Sequence, residues 1–81
     1  MPTAMGQDLT NVEVTTREGA VYAFPDMPHS TLETVLQHSN WVANGVLILV
    51  NVSGALLSLP ARVVDTISWD GKVQYHGPAL Y

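Results

Sequence analysis

The chain contains no cysteine. That excludes a disulfide framework, a thiolate nucleophile and a zinc–thiolate site, and it fits a reducing, cytoplasmic setting. Fixed positive charge is almost as scarce. Arg17, Arg62 and Lys72 are the only Lys or Arg residues among 81, against seven carboxylates, for a net charge of −4. Nucleic-acid binders neutralise several phosphates with a basic patch, and three scattered cations do not make one. Seven carboxylates are likewise too few to imitate a phosphate backbone. The start "MPTAMGQDLT" lacks the basic residues and apolar run of a secretion leader. The expectation is again a cytoplasmic protein, and the "NVS" at Asn51 matches a glycosylation acceptor in form only.

Apolar residues are abundant by contrast. They make up 47% of the chain while charged residues make up 12%, about half the usual charged share of about 25%. A single domain of this length buries only about 60% of the surface its unfolded form exposes. The interior is too small for so many apolar groups, so the surplus is expected to meet a second molecule. A second copy of the chain is the first candidate, because most soluble oligomers are homo-oligomers.

Along the chain, "NVEVTT" (11–16) alternates with period two, as a half-buried strand does. Gly19 can supply a hairpin turn, "AVYAF" (20–24) reads as the returning strand, and Pro25 is expected to end it. Ser30 and Glu33 have capping-box spacing, and Leu32, Val35 and Leu36 share a helical face. The spacing predicts a short helix from Thr31 to about His38 or Ser39.

From Trp41 to Ala61 the sequence "WVANGVLILVNVSGALLSLPA" carries no Asp, Glu, Lys or Arg, over a length close to the about 20 residues of a membrane span. Turn signals at "NG" (44–45) and "SG" (53–54), together with Pro60, argue against a continuous helix, so a membrane span is disfavoured. A β-hairpin fits better. With Ser53-Gly54 as a two-residue turn, Val52 faces Ala55, Val50 faces Leu57 and Ile48 faces Leu59. Leu47, Leu49, Asn51, Leu56 and Ser58 then form the second face, which is also mostly apolar.

After it, Val63, Asp65, Ile67 and Trp69 alternate with Val64, Thr66 and Ser68. "DG" (70–71) is a strong hairpin signal before "KVQY". The expected fold is therefore α+β, a small mainly antiparallel sheet or partly open barrel with one short helix, in the order ββαββββ. Residues 1–81 form one domain, with 1–8 as a flexible arm and 77–81 as a tail.

Chemistry-bearing motifs are few. His29, His38 and His76 have no i,i+4 or H-x-H spacing, so neither a metal site nor a histidine base is indicated. His38, near a helix C-terminus, suits the negative end of the dipole. Ser53 lacks a nucleophile elbow, and no phosphate-binding glycine motif occurs. Asp26, Glu33, Asp65 and Asp70 are each explained by a loop, a cap, a strand or a turn. No catalysis and no cofactor are expected, since no nucleophile–base pair is in view.

The expected function is non-enzymatic, through homo-oligomerisation or protein binding by the apolar hairpin. Trp41, Leu47, Leu49, Leu56 and Tyr81 are the candidate interface, because Trp and Tyr combine a large apolar body with a polar end. The alternative is a small anionic ligand bound at a subunit boundary. There Arg62 would be the anion clamp, and Trp69, His38 and Tyr22 would complete the pocket.

Overall fold

A computed structural model of the chain describes residues 8–38 and 40–78, without the side chain of His38. Six strands form two antiparallel sheets that do not close into a barrel. Strands β1 (Leu9–Thr16), β2 (Val21–Pro28), β5 (Val64–Trp69) and β6 (Lys72–His76) form the larger sheet, in the order β2-β1-β5-β6. Strands β3 (Val46–Val50) and β4 (Leu56–Pro60) form a separate hairpin. The helix α1 (His29–Glu33) leads into one π-helical turn at Thr34–His38. The short α2 (Trp41–Asn44) precedes β3, and a 3₁₀ turn at Ala61–Val63 joins β4 to β5.

One core joins these pieces. Val12, Val14, Phe24, Ile67 and Trp69 from the larger sheet meet Leu32 and Leu36 from the helical segment, Trp41 from α2, and Leu47 and Leu49 from β3. Fully burying each such side chain contributes about 1.5–3 kcal/mol, so the separate hairpin is held to the sheet by side chains rather than by a shared backbone ladder.

β2 does not stop at Pro25. It continues to Pro28 by bulging: Thr10 pairs with Met27 and Val12 with Phe24, leaving Pro25 and Asp26 opposite Asn11. Asp26 takes φ +62° at the bulge. β2 is an edge strand, where proline's missing N–H breaks no ladder, so both prolines are accommodated.

The helix also begins earlier than its sequence signal. Pro28 is the N-cap and no side chain caps the helix, so Ser30 lies inside the first turn and the capping box with Glu33 does not form. The Ser30 carbonyl instead accepts a bond from Thr34 Oγ1 at 3.0 Å. Ser39, the other expected end, lies outside the described residues.

The hairpin register differs by one residue from the expected one. Val50 pairs with Leu56, Leu49 with Leu57, Ile48 with Ser58 and Leu47 with Leu59. The loop has three residues rather than two: Asn51 N–H donates to the Ala55 carbonyl at 3.1 Å, and Gly54 turns at φ +89°. A one-residue slip turns one strand of a hairpin over relative to the other, here β3 relative to β4. Leu47 and Leu49 are therefore fully buried, while Ile48 and Val50 are each 46% exposed.

Asn51 decides that register. Its Oδ1 accepts bonds from Ser53 N–H (3.1 Å), Ser53 Oγ (2.8 Å) and Ala55 N–H (3.0 Å). Its Nδ2 donates to the Pro25 carbonyl at 2.9 Å, tying the loop to the β2 bulge. The nitrogen of the formal glycosylation site is thus buried and occupied.

In β5 a second bulge resets the alternation. Thr15 pairs with Thr66 but Thr16 with Val64, so Asp65 is extruded and Val64 turns inward, while Val63 belongs to the 3₁₀ turn. Asp70 and Gly71, both at positive φ, make the expected tight turn between β5 and β6.

Candidate functional site

Three surfaces bear on function. The first is polar and joins the start of β1, the start of α1 and the β5–β6 turn. His29 Nδ1 lies 2.8 Å from the Asp8 carbonyl oxygen, and its Nε2 lies 2.8 Å from Asp70 Oδ2. Thr10 Oγ1 donates to the other Asp70 oxygen at 2.8 Å. Both ring nitrogens face acceptors, so only the doubly protonated imidazolium satisfies both contacts. The bonds to Asp70 and to the Asp8 carbonyl accordingly raise the His29 pKa above its ordinary value. Bonds from Thr10 and His29 hold the Asp70 carboxyl below its usual range.

This arrangement has the members of a hydroxyl–carboxylate–imidazole relay in the wrong order for nucleophilic catalysis. The carboxylate sits between hydroxyl and ring, whereas an activated nucleophile must hydrogen-bond the base directly. With neither nitrogen free, His29 acts as a clasp between three chain segments. Among the described residues no group of three or more His, Cys, Asp or Glu is placed to hold a metal ion.

The second surface is an open groove of about 360 Å³ on the outer side of the larger sheet. Asn11, Glu13, Ser68, Trp69, Asp70 and Lys72 are among the residues that line it. Its carboxylates outnumber its one cation, which is the wrong balance for an anion. The expected ligand residues do not meet there. Trp69 touches the groove, but Arg62 and Tyr22 do not line it. Trp69 is mostly buried and stacks at a tilt on Tyr75, with centroids 6.0 Å apart. Tyr22 stands on β2, separated from β5 by β1. Arg62 is exposed on the 3₁₀ turn, and the side chain of His38 lies outside the described residues.

A different arginine is the one at work. Arg17 Nε donates to the Arg62 carbonyl at 2.9 Å, its Nη2 donates to the Pro78 carbonyl, and its backbone N–H donates to the Val63 carbonyl at 2.9 Å. It ties the end of β1 to the 3₁₀ turn and to the end of the described chain. Of the expected C-terminal tail, Gly77 is held by a bond to Asp65 O at 2.8 Å. A Cβ at Gly77 would overlap the Val64 carbonyl oxygen, so this close approach requires glycine. Of the expected N-terminal arm, Asp8 is engaged with His29, and residues 1–7 lie outside the described residues.

The third surface is the outer side of the β3–β4 hairpin. Ile48 and Val50 on β3 and Leu56 on β4 project there, with Val52 in the adjoining loop. All four are exposed, Leu56 by 63%. No charged residue interrupts the segment that carries them. Trp41, Leu47 and Leu49, expected at an interface, lie instead in the chain's own core, at 5%, 0% and 0% exposure. The register slip moved the two leucines inward, and α2 turned Trp41 under the hairpin. Leu56 is thus the one expected interface residue on this face, since Tyr81 lies outside the described residues. Sequence reasoning missed Ile48 and Val50 because it placed them on the core side of the same alternation.

Among the described residues no helix is long and apolar enough to cross a membrane. Compared with known proteins, the chain matches no family model, no curated protein and no solved structure.

Proposed function

We propose that this chain is a small non-catalytic assembly module, acting by association with a second copy of itself or with a protein partner through the β3–β4 hairpin. The observation that carries the reading is the outer face formed by Ile48, Val50 and Leu56. It is apolar, uncharged and open to solvent, in a chain with few charges elsewhere to keep it apart from other molecules. A two-stranded hairpin is marginally stable on its own in water. This one leans on the core by one side only, so covering its other side adds apolar burial where the fold has least. The cysteine-free composition agrees with a cytoplasmic setting. The rival reading, a small anionic ligand at a subunit boundary, is the less favoured one because Arg62, Trp69 and Tyr22 do not come together within one chain.

The test is solution mass by light scattering at tens to hundreds of micromolar, for the native chain and for the double substitution Ile48→Glu/Leu56→Glu. The native chain is expected to exceed its 8.8 kDa mass. The substituted chain, with unchanged circular dichroism, is expected to fall back to it. If association persists unchanged in the substituted chain, this face is not the interface.

A further inference from the structure

Each sheet ends in strands whose outer edges are open, and the two sheets treat those edges differently. In the larger sheet, β2 carries Pro25, Pro28 and the Asp26 bulge. On the opposite edge, β6 begins with Lys72 and bulges at Gln74, between Tyr75 opposite Ile67 and Val73 opposite Ser68. Prolines, bulges and charges are the devices that prevent a sheet edge from pairing with another chain. In the hairpin, β3 is flanked at its end by the same β2 bulge, where Val52 N–H donates to the Asp26 carbonyl at 3.3 Å. Among the described residues strand β4, "LLSLP", pairs with β3 alone; it carries neither charge nor bulge, and its one proline, Pro60, stands at its last position.

The hydrogen-bond phase of the hairpin shows what that edge offers. The closing bond from Asn51 N–H to Ala55 O, with the Ala55 N–H taken by Asn51 Oδ1, and the bond from Ala61 N–H to Gly45 O at the other end fix the phase. Alternation then makes 49/57 and 47/59 bonded pairs, and 50/56, 48/58 and 46/60 non-bonded pairs. The N–H and C=O groups of Leu56 and Ser58, and the C=O of Pro60, therefore point away from β3, to the open edge. Pro60, which has no N–H to give, occupies a position where none is needed by β3.

We infer that a second copy of this chain docks on β4 by antiparallel edge-to-edge pairing centred on Ser58, joining two hairpins into one four-stranded sheet in the order β3-β4-β4-β3. The inference rests on the association reading above and specifies its partner and its mode. In this register Ser58 faces Ser58 of the other copy and the two exchange a pair of bonds. Each Leu56 N–H donates to the other copy's Pro60 carbonyl. Every outward N–H of the strand finds a carbonyl, whereas displacement by two residues toward Arg62 leaves Leu56 N–H without one. Displacement the other way, with Leu56 facing Ser58, also satisfies each outward N–H but sets Leu59 opposite Ala55 instead of Leu57. On the inner side, Leu57 comes opposite Leu59 of the other copy. Both are only half-buried in the single chain, and cross-strand apolar pairs of this kind stabilise a sheet. On the outer side Leu56, Ile48 and Val50 of each copy flank a central Ser58–Ser58 pair, so the apolar face continues to either side of it. The net charge of −4 on each copy opposes association, but no fixed charge lies on the joining strands.

The test uses proline as a probe of one backbone N–H. Ser58→Pro removes the N–H that points to the open edge and breaks no bond to β3, and Pro60 already occupies the equivalent place two residues on. The substituted chain is expected to keep its circular dichroism and near-ultraviolet tryptophan spectrum and to remain at 8.8 kDa where the native chain doubles its mass. A second readout needs no substitution. Amide exchange at Leu56 and Ser58 is expected to slow about tenfold at a concentration where roughly nine-tenths of the chain is paired, because exchange then proceeds through the free tenth. Leu57 and Leu59, already bonded to β3, are expected to show no such dependence.

The outcomes separate the two readings. A native chain that stays at monomer mass overturns self-association and this pairing together. Association that survives Ser58→Pro, with concentration-independent exchange at Leu56 and Ser58, but is lost in Ile48→Glu/Leu56→Glu overturns edge pairing and leaves the face as the interface. Association lost in Ser58→Pro but kept in the face variant supports edge pairing and removes the face. Association that survives all three substitutions places the interface elsewhere and overturns both.

Discussion

Replacing Asn51 with alanine should be among the most damaging single changes outside the apolar core. The side chain makes four hydrogen bonds: three accepted within the loop, from Ser53 N–H, Ser53 Oγ and Ala55 N–H, and one donated to the Pro25 carbonyl. A typical intramolecular hydrogen bond contributes about 0.5–1.5 kcal/mol net of solvent. Ser53 and Ala55 are exposed, so water replaces part of what they lose, and a total of about 2–4 kcal/mol is expected. A domain of this length has roughly 4–12 kcal/mol in all, at about 0.05–0.15 kcal/mol per residue. For small domains Tm moves by about 4–8 °C per kcal/mol, so Asn51→Ala should melt roughly 8–32 °C lower. Urea and thermal unfolding followed by circular dichroism measure both quantities.

Asn51→Asp separates the two jobs of the side chain. It keeps the acceptor that shapes the loop but, when ionised, sets a carboxylate against the Pro25 carbonyl. Protonation restores a donor, so this variant should recover part of its stability as pH falls through the carboxyl's range. If Asn51→Ala shifts the unfolding free energy by less than about 0.5 kcal/mol, the size of an ordinary surface substitution, the side chain does not hold the hairpin to the β2 bulge and the reasoning fails.

The register itself can be checked by paired truncations: Leu49→Ala should cost about 2–5 kcal/mol, whereas Ile48→Ala should cost about 1 kcal/mol or less in the single chain, and a reversed order in urea unfolding would restore the two-residue turn. His29 and Asp70 confer a pH dependence of known sign. The His29 contribution is complete below its ordinary pKa of 6.5 and is lost as pH rises through its raised folded value. The Asp70 contribution is complete above 3.8 and is lost as pH falls through its lowered value. The stability difference between native chain and His29→Gln should therefore be widest between about pH 4 and 6.5 and should shrink on either side. A difference that is flat from pH 4 to 9 would rule the clasp out.

Much of the local structure could be read from short-range signals. The period-two pattern around Val12 and Val14, the positive-φ turn at Asp70-Gly71, and the burial of Leu32 and Leu36 all arise from neighbouring residues. The hairpin was legible as a hairpin, yet its register was not. Both alternating sets, Ile48 with Val50 and Leu47 with Leu49, are apolar, so hydrophobicity cannot choose between them. The choice falls to Asn51, whose bond to the Pro25 carbonyl spans 26 residues. The bulge at Pro25-Asp26 was hidden for a related reason, because proline reads as a stop unless the strand is known to lie at an edge. The His29 clasp joins residues 21 and 41 positions apart, and no spacing rule connects them.

The sequence alone determined that this chain is a small, mainly antiparallel domain with one short helical segment and more apolar surface than its interior can hold. Those properties follow from composition and from periods of two to four residues, which act at short range. Tertiary structure alone decided which apolar face is buried, which arginine and which histidine join separate strands, and that β4 has an open edge among the described residues. These are outcomes of competition between faces and edges of comparable apolarity, and such a competition is settled only when distant backbone groups, as at Asn51 and Pro25, come within bonding distance.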